Sequence, residues 1–190
     1  MTAIRDIADA QRDMRFGFYA GAPGVLASTL AWLSAGFVAL RGSPEDAVLA
    51  LFIGGVLIHP AAVVLAKLLG RPGGHSSGNP LGTLALEGTV LLLLCLPVAY
   101  VVSLYRIEWF FPAMMLIVGG RYLTFATLYG LRTYWALGGA LALAACVLVV
   151  TRQPSVVGAF AGGIVELAFG IGLFIIAGRE CATTLTRDTV

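Results

Sequence analysis

At 190 residues the chain is 59% hydrophobic and only 12% charged, against about 25% charged residues in an ordinary soluble domain, which excludes a soluble globular fold. A net charge of +2 is too small to mark nucleic acid as a partner. Three cysteines, Cys95, Cys146 and Cys181, stand too far apart for a disulfide framework or a metal site and read as packing residues.

Residues 1 to 18 alternate charge with Ile4, Ile7, Ala8, Met14, Phe16 and Phe18, a spacing that suits a short helix lying along the cytoplasmic surface. The leader mixes Asp6, Asp9 and Asp13 with arginines, so no cleaved signal peptide is expected. Apolar runs then predict spans over residues 19–40, 46–69, 82–105, 109–131, 134–150 and 155–177, each near the ~20 residues a helix needs to cross the hydrocarbon. Backbone groups have no water to bond there, so the fold class is an all-α polytopic bundle of six transmembrane helices.

The expected organisation is an interfacial segment 1–18, a transmembrane domain 19–177 and a cytoplasmic tail 178–190. Six crossings put both termini on one side, with Arg5, Arg12, Arg15, Lys67, Arg71, Arg132, Arg179 and Arg187, against Arg41, Arg106 and Arg152 opposite. The positive-inside rule makes the termini cytoplasmic. Trp109, Phe110 and Phe111 at the outer boundary, and Tyr129, Tyr134 and Trp135 at the inner one, read as interface anchors.

The connections are short except residues 70 to 81. Pro72, Gly73 and Gly74 break the second span, and Asn79 before Pro80 is a good N-cap for the third. This loop is either a gate or binding loop carrying His75 and Asn79, or a flexible connector with a capped exit. Pro23 with Pro112, Pro80 with Pro154 and Glu87 with Glu166 hint at an inverted repeat of three helices. The unequal depths of the glutamates and the lack of a partner for His59 argue against it.

Inside the spans stand four ionisable side chains, His59, Glu87, Arg121 and Glu166, each costing ~2.5–3.5 kcal/mol at bilayer depth unless it is paired or faces a cavity. At ~1.5 Å of rise per residue, His59, Arg121 and Glu166 lie ~16–20 Å from the outer side and Glu87 ~8 Å from the inner one, so all four fall in one half of the membrane. Arg121 is expected to neutralise Glu166 or Glu87, leaving the other carboxyl to His59.

Gly158, Gly162 and Gly170 recur at fourth positions around Glu166 and form a small-residue face suited to close helix approach, within the chain or between copies. The cluster then serves either a small solute, ion or proton path, or a lock between helices in a scaffold or accessory subunit. No HExxH, GxSxG or phosphate loop supports an enzyme, and neither a metal nor a cofactor is expected. The partners expected are the lipid bilayer and a small solute or ion.

The run Phe16–Gly36, the segment Asn79, Pro80, Leu81, Gly82, and the stretch from Met114 through Gly120, Arg121, Tyr122 and Leu123 to Tyr129 and Tyr134 resemble a family of small, uncharacterised bacterial multi-pass membrane proteins, a domain of unknown function. The resemblance covers most of the chain and implies several transmembrane helices in a bacterial inner membrane, without an activity. It implies histidine where this chain carries Arg121.

Overall fold

The computed structural model describes residues 6–187, with side chains from residue 6 to 179. Ile4, Arg5 and the side chains of Cys181 and Arg187 lie outside the described residues. Seven α-helices follow in order: α1 (Ile7–Phe18), α2 (Ala22–Arg41), α3 (Pro44–Leu68), α4 (Leu81–Tyr105), α5 (Phe110–Tyr129), α6 (Thr133–Val150) and α7 (Ser155–Arg187), with single 3-10 turns before α2 and α5. The described residues contain no strand. Six helical stretches, holding α2 to α7, are long and apolar enough to cross a membrane.

Local chemistry sets several boundaries. Ser43 Oγ accepts from the Asp46 N–H and Asp46 Oδ2 from the Ser43 N–H, both 3.1 Å, a reciprocal cap with Pro44 at the first turn of α3. Pro80 rather than the expected Asn79 holds the cap position of α4, and Asn79, one residue earlier, accepts from the Leu81 N–H through Oδ1 at 3.0 Å. α3 passes unbroken through Pro60. α7 runs on to Arg187, well beyond the expected limit at 177.

α2 pairs with α3 and with α7, α5 pairs with α6 and with α4, and α6 also touches α7, whereas α3 and α4 scarcely touch. Each half thus pairs its first helix with its own second and with the third helix of the other half. The outer helices α3 and α4 leave most of their apolar surface facing outward. The core lies along α2, α5, α6 and α7, filled by Trp32, Phe110, Phe111, Met115, Leu137, Leu141 and Leu173.

Three expectations change with packing. Trp109 and Trp135 are 38% and 61% exposed, as interface anchors would be, but Phe110, Phe111 and Tyr134 are fully buried. Tyr134 stacks between Tyr122 and Tyr129, with centroids 5.9 and 5.5 Å apart, and its Oη donates to the Ala20 carbonyl at 2.8 Å. Cys146 is exposed, so it does not pack in the core as expected. The glycine face of α7 is filled by its own chain: Cβ atoms at Gly158, Gly162 and Gly170 would meet Phe111, Trp32 and Leu26. That face therefore has no room for a second copy.

α1 does not lie apart along a surface but crosses the end of the bundle where α2 begins and α5 closes, burying Ala10, Met14 and Gly17. Its Gln11 and Arg15 side chains donate to the Thr127 and Tyr129 carbonyls at the close of α5, 2.8 and 2.6 Å. The turn into α2 holds Tyr19, Ala20 and Gly21 at φ of 51, 53 and 79°, left-handed angles that cost a non-glycine residue ~1–2 kcal/mol each.

Candidate functional site

The α2–α7 seam makes the clearest polar centre. Small residues on α7 let α2 approach closely, and Trp32 lies across Gly162, where a Cβ would be 2.6 Å from its ring. One turn further, Glu166 is fully buried. Its Oε1 accepts from Tyr122 Oη of α5 at 2.9 Å, and Ser28 and Trp32 of α2 also face the carboxyl group. Oε2 has no hydrogen-bond partner among the described residues. Three helices thus converge on one carboxyl group.

Arg121 is not part of that centre. It precedes Tyr122 on α5 and so points to another face, toward α4, where Nη2 donates to Thr89 Oγ1 at 3.0 Å. Its guanidinium lies 5.2 Å from the centre of the Phe125 ring. Among the described residues no carboxylate reaches it for an ion pair, and its buried Nε has no partner. His59 and Glu87 are both exposed on the outward faces of α3 and α4. The structure therefore does not bring the four ionisable groups together, and the expected neutralisation of a glutamate by Arg121 is absent.

The loop from 70 to 80 is fastened to α1, which corrects the flexible-connector reading. Asp13 Oδ1 accepts from Ser76 Oγ at 2.6 Å, and Oδ2 accepts from the Ser76 N–H at 2.9 Å and from Asn79 Nδ2 at 2.7 Å. Buried Asn79 also donates to the Ala10 carbonyl at 3.0 Å. The Gly73 N–H bonds the Gly17 carbonyl at 3.0 Å, and the Arg71 guanidinium sits 4.6 Å from the Phe16 ring centre. His75 is exposed, its ring packed on Gly82 and its Nδ1 3.0 Å from the Ser76 carbonyl. Asn79 is thus a fixed joint between α1 and α4, and His75 only borders it.

Burial pushes the Asp13 carboxyl up, but hydrogen bonds from Ser76 and Asn79, helped by the nearby His75, outweigh it and hold the group below the usual carboxylate range. A depressed carboxyl contributes stability above its unfolded value and loses it as pH falls through its folded one. Below about pH 4 the loop is therefore expected to loosen from α1. A nitroxide on Ser77→Cys in a cysteine-free background should gain mobility only as the pH falls below about 4. With Asp13→Asn added it should be mobile already at pH 7 (a neutral reference); an unchanged signal in both proteins would refute the joint.

A family model, the family of unknown function DUF7010, matches residues 7–176. The chain belongs to DUF7010. No curated protein and no solved structure matches it. In this DUF7010 member the matched stretch runs from the start of α1 into α7, so it takes in both the α1 joint and the Glu166 centre.

Sequence reading missed Tyr122, Ser28, Trp32, Thr89 and Asp13. A tryptophan in the middle of an apolar span was a usable signal, since tryptophan favours the membrane interface and Trp32 stands mid-way along α2. Ser28 and Thr29, adjacent and buried on the same helix, were a second. Nothing local pointed to Asp13, which acts through a loop more than sixty residues away.

Proposed function

We propose that this DUF7010 member is a bacterial inner-membrane protein that moves a proton, ion or small solute, with Glu166 as the group that takes and releases the ion. The supporting observation is a carboxyl group sealed between α2, α5 and α7, with one oxygen on Tyr122, Ser28 and Trp32 facing the group, and no cation beside it among the described residues. An ionised carboxylate there costs more than a protonated carboxyl, and a buried group able to change its charge is what an exchange site requires. The basic residues at the end bearing both termini favour a cytoplasmic location for that end. There α1 and its loop would close the cytoplasmic mouth.

A second reading, a scaffold or accessory subunit in which the Tyr122–Glu166 bond only locks helices, is favoured by the complete burial of Glu166. Two shallow surface depressions lie at the end opposite α1, beside Arg106 and Arg152 and beside Arg41 and Asp46, and none of the four ionisable residues lines them. Proteoliposomes carrying a pH-sensitive dye separate the readings. Wild type is expected to dissipate an imposed pH gradient faster than protein-free vesicles, and Glu166→Gln, checked for folding by its thermal midpoint, should fall to background. Background flux from both proteins, with a lowered midpoint for Glu166→Gln, would leave the lock.

A further inference from the structure

We infer that the α4–α5 seam at Arg121 binds the anionic head of a single-chain amphiphile entering from the bilayer. A guanidinium offers five N–H donors in a planar fork, yet among the described residues only Nη2 has a protein acceptor, the Thr89 hydroxyl. The neighbouring hydroxyl hydrogens are already committed to backbone, Thr89 Oγ1 to the Ala85 carbonyl at 2.9 Å and Thr124 Oγ1 to the Arg121 carbonyl at 2.7 Å. Nε is buried and unpartnered, and no carboxylate of the described residues compensates the charge. A cation left so at hydrocarbon depth is costly, and a carboxylate or phosphate head would meet the fork with two parallel hydrogen bonds.

The approach is open. Arg121 is only partly buried, exposed Leu116 and Gly120 lie just before it on α5, and a Cβ at Gly120 would meet nothing within 4 Å. Across the seam Leu86 and Val90 of α4 are exposed as well. An acyl chain has an apolar track there. Depth selects the ligand: Arg121 stands eight residues before the end of α5, ~12 Å from that end at ~1.5 Å per residue. A single-chain amphiphile can sink its head that far, whereas a two-chain lipid would have to drag its glycerol backbone below the interface.

The inference is independent of the flux reading, because Arg121 and Glu166 address different faces of α5. Its test is native mass spectrometry and thermal midpoints in a neutral detergent, with dodecanoate, dodecyl phosphate, dodecanol or inorganic phosphate added. Dodecanoate and dodecyl phosphate are expected to bind and raise the midpoint of wild type and of Glu166→Gln alike. Arg121→Gln should lose at least ~10-fold in affinity, the loss of one or more charge-assisted hydrogen bonds. Arg121→Lys, which keeps the charge but not the fork, should bind more weakly than wild type, and it carries the test if Arg121→Gln does not fold. Equal binding of dodecanol, equal effect of inorganic phosphate, or undiminished affinity in Arg121→Lys would overturn the assignment.

Discussion

Gly162→Leu is expected to prevent stable folding. A Cβ at Gly162 would stand 2.6, 2.8 and 2.9 Å from three atoms of the Trp32 indole, a rigid bicycle 1% exposed and held on its other side by Phe111, 5.9 Å away between ring centres. The ring cannot rotate out of the way as a flexible side chain would, so α2 and α7 must separate. That opens the packing around Glu166 as well. Overpacking a core costs about 1–3 kcal/mol, and leucine at this position belongs at or above the top of that range. Gly172→Leu on the same helix is the control, since its Cβ would meet nothing within 4 Å. Thermal midpoints and the monodisperse fraction after detergent extraction should fall for the first and hold for the second; matching values would mean that the seam is softer than its geometry.

The second large effect is expected at Gly17, where alanine should release α1 and its loop without unfolding the spans. A Cβ there would collide with the Gly74 carbonyl oxygen, which is backbone and part of a loop pinned on both sides by Asp13 and by the Gly73–Gly17 bond. The methyl group and the loop cannot share that space, so the joint opens. Gly74→Ala is the control, because its own Cβ points into open space. Hydrogen exchange should rise over residues 7–18 and 70–80 in Gly17→Ala while the rest of the chain keeps its protection. Similar exchange in the two variants would show that α1 is held by its contacts to α5 alone. In the flux assay an opened joint should raise transport if α1 closes the mouth of a path, and leave it unchanged if the protein is a scaffold.

Helix boundaries were legible in the residues because they depend on runs of like chemistry. The expected third and fifth spans, 82–105 and 134–150, differ by a single residue at their starts from α4 and α6, since apolar length and turn residues decide where a helix can begin and end. Arg121 and Glu166 show where that legibility stops. Rise per residue placed both at one height, but height does not say which way a side chain faces. On a helix that is apolar all round, no hydrophobic stripe marks an inner side, so His59 and Glu87 could not be told from Glu166 by pattern.

Residue order alone determined six long apolar stretches and the gathering of basic residues in alternate connections, because each follows from the cost of exposing backbone or charge to hydrocarbon. Tertiary packing decided the rest. The rotation of each helix about its axis is set by which neighbours interdigitate, and that choice sealed Glu166 on Tyr122, turned Arg121 away toward Thr89, left His59 and Glu87 facing outward, and tied Asp13 to a loop distant in sequence.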